Sequence, residues 1–176
     1  MTTSISFKIA AAFCCLLALS ACSKKSTPNL EANAGQAMPG SEQDFAVNVG
    51  DRVFFAEDQS TLSPEAQETL RRQAAWLAQY PNVMVQVEGH ADERGTREYN
   101  ISLSARRATA AREFLIAQGV AAKRVSSIAY GKERPAALCD AEQCWSQNRR
   151  AVTVITGGAS GIGRAMGELF LANGMN

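Results

Sequence analysis

The sequence contains a single histidine, His90, and carries a formal net charge of only +1. One imidazole is too few for a histidine-based metal site, so we expect no metal and no cofactor. A nearly neutral chain also lacks the basic excess that draws proteins to nucleic acid. Hydrophobic residues make up 46% of the chain and charged residues 20%, which excludes a wholly disordered protein. The 176 residues suffice for one globular domain with short appendages.

Long hydrophobic runs are missing as well. The apolar run Ile9–Leu19 is shorter than the roughly 20 residues of a membrane-spanning helix, and it predicts a signal peptide over residues 1–21. Cys22, in Leu-Ser-Ala-Cys, resembles the acylated cysteine of a bacterial lipobox. Its acyl chains, palmitate among them, would anchor the mature chain by about 0.8 kcal/mol per buried CH₂. An ordinary signal peptide with an incidental cysteine is the alternative. Ser23 is typical of lipoproteins sent on to the outer membrane.

The segment 22–44 is polar, contains Pro, Gly and Ser, and has no hydrophobic period, which predicts a flexible tether. Beyond the lipobox, the cysteines that remain are Cys139 and Cys144. An oxidising compartment favours a disulfide between them, and two free thiols in a surface loop are the alternative. Their spacing, without a nearby histidine, is poor for zinc.

Hydrophobic periodicity predicts one domain over residues 45–155. Its predicted strands lie within 45–55, 83–89, 124–131 and 149–155, with Phe45–Gly50 as an extra leading strand, and its helices at 64–80 and about 101–118. Ser63 and Pro64 predict the start of the first helix, because a capping hydroxyl precedes proline at the first helical position. The order βαβαββ predicts an α+β fold with the helices packed on one mixed sheet.

The charged stretch Glu88–Ala108 joins a predicted strand to a predicted helix. His90, Asp92 and Glu93 could form an acid–base site, but no Ser or Cys nucleophile motif accompanies them, so we do not expect an enzyme. Asp92 and Arg107 would instead suit a zwitterion, since a carboxylate takes an ammonium and a guanidinium takes a carboxylate. From the residues alone, a surface Asp–Arg pair worth under about 1 kcal/mol is the alternative. For His90 we expect a structural role, with its ring hydrogen-bonded near the loop.

Three segments resemble peptidoglycan-binding lipoproteins of the OmpA-like domain family. They are VEGHADERGTREYNISLSARRATAAREFL, SIAYGKERPAAL and WSQNRRAVTV, which start at Val87, Ser127 and Trp145. The resemblance covers roughly residues 45–155. It implies non-covalent binding of peptidoglycan through the diaminopimelate of its stem peptide. It also implies a lipid anchor in the outer membrane, a domain facing the periplasm, TolB and secondarily TolA as partners, and a part in envelope integrity and cell division.

The resemblance further implies the residues of the site. Asp92 and Arg107 would be the ligand pair, and the other residues of the pocket would be Arg94, Asn100, Leu103 and Asp58. Members of the family often read Phe-Asp-Phe-Asp where this chain reads Phe-Ala-Glu-Asp at 55–58. If Glu57 lines the pocket, an apolar contact is lost and a negative charge is added near the ligand.

Residues 156–176 do not fit this domain and are expected to be an atypical C-terminal extension. Their motif TGGASGIG (Thr156–Gly163) resembles the nucleotide-binding turn of short-chain dehydrogenases, so a fragment of that kind is the alternative function. The chain that follows is too short for the remaining strands, the acidic ribose partner and the Tyr-x-x-x-Lys pair of those enzymes. The strand that would open the unit is also the last predicted strand of the domain.

Overall fold

The computed structural model describes residues 37–156. The elements in chain order are α1 (Glu42–Asp44), β1 (Arg52–Phe54), α2 (Pro64–Gln79), β2 (Met84–Gly89), α3 (Arg97–Ala117), β3 (Val125–Ala129), α4 (Glu142–Asn148) and β4 (Arg150–Thr156). A short 3₁₀ turn, Ala122–Arg124, precedes β3. The predicted signal peptide, Cys22, most of the tether and the extension beyond Thr156 lie outside the described residues.

The predicted leading strand at Phe45–Gly50 is wrong, because this segment continues α1 as a wide π-helical turn. Its alternating hydrophobic residues resemble a strand, but Val47 is 71% exposed, whereas Phe45 packs against the ring of Trp76 at 4.9 Å. The carboxylate of Asp44 accepts a hydrogen bond from Trp76 Nε1 at 2.9 Å. Asp44, the last residue of the predicted tether, therefore contacts the domain.

Helix α2 begins where the sequence predicts. The Ser63 hydroxyl accepts a hydrogen bond from the Ala66 amide, and Pro64 occupies the first position. The predicted apolar face is buried, and the residues on it are Ala66, Leu70, Ala74 and Leu77. Burial of this face attaches α2 to the sheet.

Helix α3 starts at Arg97, earlier than the predicted start near Ile101. The Thr96 hydroxyl caps it by accepting a hydrogen bond from the Tyr99 amide. The earlier start places Arg107 in the middle of the helix rather than in its early part. Gly119, with φ of +98°, follows the helix end as predicted.

The four strands form one sheet in the order β1-β4-β2-β3. Strand β4 pairs antiparallel with both β1 and β2, whereas β2 and β3 are parallel. Strands β1, β2 and β3 therefore run to the same end of the sheet, where the loops that follow them gather. The sheet is mixed and the fold is α+β, as predicted, but helix α4 is absent from the predicted order βαβαββ.

Helices α2 and α3 cover one face of the sheet, and the core lies between them and the strands. Its members include Val53, Leu70, Leu77, Val85, Val87, Leu115, Val125, Ala151 and Ile155. Outside this core the strands expose Phe54, Met84 and Ile128. Within residues 37–156, no helix combines the length and the apolar content needed to cross a membrane.

The pairing of strand β4 differs from what the alternative, a nucleotide-binding fragment, would require. It ends at Thr156 and lies between β1 and β2, antiparallel to both. A dinucleotide-binding unit instead opens on a strand of a mostly parallel sheet. The rest of the motif Thr156–Gly163 lies outside the described residues.

The loop between β3 and β4 is held onto α4 at two points. Cys139 and Cys144 form a disulfide, with their Cα atoms 5.6 Å apart. The side-chain oxygen of Asn148, at the end of α4, accepts hydrogen bonds from the amides of Ala136 and Ala137 at 2.7 and 3.1 Å. A hydrogen bond from Trp145 Nε1 to Glu93 Oε1 at 2.9 Å then places α4 beside the loop that follows β2.

Candidate functional site

A pocket of about 260 Å³ opens where the loops after β1 and β2 meet the first half of α3. All six residues that the sequence analysis assigned to the ligand site line it: Asp58, Asp92, Arg94, Asn100, Leu103 and Arg107. The structure adds Glu57, Gly95 and Tyr99. The parallel course of β1 and β2 explains why two loops distant in sequence form one pocket.

Arg107 is the fully buried charge of this pocket, with 0% of its surface exposed. Its guanidinium donates hydrogen bonds to the carbonyl oxygens of Gln59 at 2.8 Å, His90 at 3.0 Å and Ala56 at 3.2 Å. Burial lowers the pKa of Arg107 to about 10, so the side chain stays cationic at neutral pH. Arg107 therefore ties both pocket loops to α3 and gives the pocket a fixed positive charge.

Asp92 is 7% exposed, and two arginines hold its carboxylate. Oδ2 accepts from Arg94 Nη2 at 2.6 Å and from Arg149 Nη1 at 3.4 Å, while Oδ1 accepts from the Arg94 amide at 3.2 Å. Burial alone would raise the pKa of Asp92, but the hydrogen bonds from Arg94 and Arg149 outweigh it and hold the pKa below its ordinary value. Asp92 is therefore a carboxylate at neutral pH.

Asp92 and Arg107 line one pocket without pairing with each other. Among residues 37–156, the ion pairs of Asp92 are with Arg94 and Arg149. Because both side chains are buried, they do not form the exposed surface pair that the residues alone left open. The pocket is thus lined by one buried guanidinium and by one carboxylate, which Arg94 and Arg149 hold.

Arg149 also belongs to the site, although the sequence does not predict it. It is buried, donates to the Phe55 carbonyl at 3.1 Å and to Asp92, and is paired with the carboxylate of Glu142. It lies 57 residues from Asp92 in the chain, so strand pairing alone brings the two together. Arg149 and Arg150 stand together at the start of β4, but their sequence does not indicate that Arg149 is buried or which carboxylate it binds.

Glu57, where the chain departs from the family pattern, does line the pocket. Its carboxylate is paired with Arg94 Nη1 at 2.8 Å, so Arg94 bridges Glu57 and Asp92. The guanidinium of Arg94 also lies over the ring of Trp145, 4.2 Å from the centroid. The added negative charge is therefore matched by a guanidinium at the edge of the pocket.

The remaining predicted residues shape the walls. Asn100 is buried on α3, and its side-chain amide donates to the Arg94 carbonyl at 2.8 Å. Leu103 supplies an apolar wall one turn further along the helix. Asp58 adopts a left-handed conformation, with φ of +56°, in the loop after β1. Across residues 37–156, no group of His, Cys, Asp and Glu is placed to hold a metal ion.

His90 is buried, but the hydrogen bond expected for its ring is not found. Neither ring nitrogen has a hydrogen-bond partner among the described residues. The ring centroid lies 5.6 Å from that of Tyr130, and Nε2 lies 3.8 Å from a carboxylate oxygen of Glu88. His90 contributes to the pocket through its backbone carbonyl, which accepts from Arg107.

Mild acid is expected to destabilise the fold through His90. Burial lowers the pKa of His90 to about 4, and the positive charge of Arg150 is the next contribution. The unfolded chain binds this proton near the ordinary pKa of 6.5, so the free energy of unfolding falls as the pH drops from 6.5 towards 4. We expect a loss of about 1–3 kcal/mol over that window.

Urea unfolding of the wild type and of His90→Asn, from about pH 7.5 to about pH 5, measures this effect. His90 is the chain's single histidine, and ordinary carboxyl groups titrate mostly below this window. The slope of stability against pH should therefore disappear in the variant. An equal slope in both proteins would contradict the assignment to His90.

Comparisons with known proteins place the chain in a family. A family profile described as the OmpA family matches residues 54–151. The peptidoglycan-associated lipoprotein of Mesorhizobium japonicum is 58% identical over 150 residues, which are 82% of this chain and 89% of that protein. The protein of the same name from Agrobacterium fabrum is 59% identical over 147 residues, covering 80% and 83% of the two chains.

The fold has a counterpart among solved structures. The crystal structure of the peptidoglycan-associated lipoprotein from Burkholderia pseudomallei matches with a TM-score of 0.62 and 33% sequence identity. The match covers 65% of this chain and 99% of that one. The residues matched by the family profile include all those that line the pocket. The chain therefore belongs to the OmpA family, within which it is similar to the peptidoglycan-associated lipoproteins.

Proposed function

We propose that this protein is an outer-membrane lipoprotein that binds peptidoglycan non-covalently through the pocket of Asp92 and Arg107. The family to which it belongs comprises structural binding proteins rather than enzymes. The relatives are peptidoglycan-associated by name, and identity of 58% over 150 residues supports extending that association to this chain. No feature of the described residues favours a second function.

The observation that carries the proposal is the pair of buried, mutually unpaired charges in one pocket. Diaminopimelate in a stem peptide ends in an amino acid zwitterion, with an ammonium and a carboxylate on one carbon. Asp92 would accept the ammonium. Arg107 has five N–H groups and gives three to carbonyl oxygens, so one N–H on each terminal nitrogen remains to fork the carboxylate. Leu103 and Tyr99 would pack against the methylene chain of the ligand.

The membrane attachment is the second part of the proposal. A lipid on Cys22 would hold the chain on the outer membrane with its domain in the periplasm, and the polar segment after it would span the gap to peptidoglycan. Two long acyl groups are enough for stable anchoring, because each buried CH₂ adds about 0.8 kcal/mol. Radiolabelled palmitate should enter the wild type and be absent from Cys22→Ser.

We further propose that the protein works in the Tol–Pal system, with TolB as its first partner and TolA as its second, and supports envelope integrity and division. The support for this part is the resemblance of its three long motifs to those of the family. Co-purification of TolB with the tagged protein tests it. The amount of TolB recovered should change when sacculi are added if the two ligands share a surface.

Asp92→Asn is expected to weaken binding to purified sacculi by about tenfold or more, since a neutral amide cannot balance the ammonium of the ligand. Asparagine keeps the shape of the side chain and part of its hydrogen bonding, so the fold should persist. Co-sedimentation of the detergent-solubilised full chain with sacculi measures the change.

Asp140→Asn is the matched control, because Asp140 is an exposed carboxylate outside the pocket. It should pellet with sacculi as the wild type does, and circular dichroism verifies that both variants are folded. Equal pelleting of Asp92→Asn and the wild type would place the binding site elsewhere. A folded wild type that stays in the supernatant would reject the proposal.

A further inference from the structure

We infer that the Arg94 side chain blocks Asp92 and must rotate away before a ligand's ammonium can bind there; Arg94 is called the latch below. Glu57 is the second carboxylate, and it receives the Arg94 guanidinium after this movement. The inference rests on the proposed function, because the ammonium belongs to the ligand proposed above. Glu57 is then a positioning residue: it sets the affinity through Arg94 without touching the ligand.

Asp92 has one fixed partner and one movable partner. Arg149 is fixed, because it is buried and is also bound to the Phe55 carbonyl and to Glu142. Arg94 reaches Asp92 from the edge of the pocket, and its side chain is 33% exposed. An incoming ammonium can therefore displace Arg94 but not Arg149.

The charges around Asp92 make this displacement necessary. Two guanidiniums on one carboxylate repel a further cation at short range. The charge of Arg149 is already balanced by Glu142. Once Arg94 leaves, Asp92 is the unbalanced negative group that the ligand's ammonium requires.

The side chain of Arg94 can move while its backbone stays in place. Its amide donates to Asp92 Oδ1 at 3.2 Å, and its carbonyl accepts from Asn100 at 2.8 Å. Breaking the contact between Nη2 and Asp92 is enough to release the guanidinium. Glu57, whose side chain is 66% exposed, and the ring of Trp145 already contact it and would hold it after release.

A double-mutant cycle tests the latch. The peptide L-Ala-γ-D-Glu-meso-diaminopimelate is titrated by calorimetry into the full-length wild type, Glu57→Gln, Arg94→Gln and the double variant. Glu57→Gln should bind about two- to fivefold more weakly, the size of one exposed charge pair. Arg94→Gln should bind at least as tightly as the wild type, and the double variant should match Arg94→Gln. Arg97→Gln, which removes an exposed arginine outside the pocket, should leave the affinity unchanged.

A second probe isolates the role of the ammonium. It is the same peptide acetylated on the side-chain amino group of diaminopimelate, which no longer competes with Arg94 for Asp92. The wild type and Glu57→Gln should bind this weaker ligand equally. A purely structural role of Glu57 would lower both affinities alike.

The outcomes separate the latch from the proposed function. The latch is overturned if the wild type binds the peptide but Arg94→Gln binds it more weakly, because Arg94 would then contact the ligand directly. It is also overturned if the effect of Glu57→Gln persists in the Arg94→Gln background, or if the four proteins bind equally. A wild type that binds neither sacculi nor the peptide overturns both the latch and the proposed function.

Discussion

Arg107→Met is expected to lower the free energy of unfolding by about 3–5 kcal/mol, among the largest effects of any single change in the pocket. The guanidinium satisfies carbonyl oxygens of Ala56, Gln59 and His90, which belong to two loops. Methionine fills a similar volume but donates no hydrogen bond, so these carbonyls lose a charged donor in a buried place. Both pocket walls should loosen as a result.

Arg106→Met is the matched control, since Arg106 lies on the exposed side of α3 and bonds only to Ser102 among the described residues. Its stability should stay within about 0.5 kcal/mol of the wild type. Guanidinium chloride unfolding followed by circular dichroism compares the two. If Arg107→Met lowers the free energy of unfolding no more than Arg106→Met does, Arg107 serves the ligand alone and not the fold.

Because Arg107→Met is expected to destabilise the fold, its binding to sacculi has to be measured on protein that circular dichroism shows to be folded.

Gly89→Ala is expected to cost about 3 kcal/mol, although alanine adds only one methyl group. A Cβ at residue 89 would lie 1.9 Å from the backbone oxygen of Ser104 and 3.0 Å from the Cβ of Ala108. The neighbour is helix backbone, so α3 must move away from β2. Because α3 carries Asn100, Leu103 and Arg107, peptidoglycan binding should weaken together with stability.

Gly119→Ala separates this clash from a general effect of losing glycine. Residue 119 has φ of +98°, and a Cβ there meets nothing within 4 Å. Its cost should be the backbone strain alone, about 1–2 kcal/mol. Thermal unfolding of the two variants compares them. A smaller loss for Gly89→Ala than for Gly119→Ala would mean that α3 shifts without penalty.

The fold was predictable where local signals are strong. Ser63 and Pro64 mark the start of α2 without reference to the rest of the chain, and the valines around β2 alternate as a half-buried strand does. The strand predicted at Phe45–Gly50 was wrong, because the hydrophobic residues of this segment alternate without sharing a buried face. Phe45 is buried at a helix end, whereas Val47 is exposed. Helix α4 was missed because it has seven residues and no side-chain cap.

The long motifs predicted which residues line the pocket, but they did not predict the hydrogen bonds and ion pairs among those residues. Asp92 and Arg107 were expected to face one ligand, and the structure places both in one pocket. That Arg107 bonds to three carbonyls, and that Arg149 holds Asp92, depends on strand pairing between distant segments. An arginine in a helix has the same sequence signature whether it is solvated or fully buried.

The direction of β2 has a mechanical consequence. Gly40 lies against Tyr80 shortly before β2 begins, and the pocket loop starts where β2 ends. Six residues of strand separate these two ends by about 20 Å. A pull between the N-terminal segment and a ligand in the pocket therefore acts along the strands. The hydrogen bonds between β2 and β4 lie across that direction, so they are loaded in shear and must break together rather than one after another. On the proposed function, the domain would bear tension between the membrane anchor and peptidoglycan while its ligand remains free to dissociate.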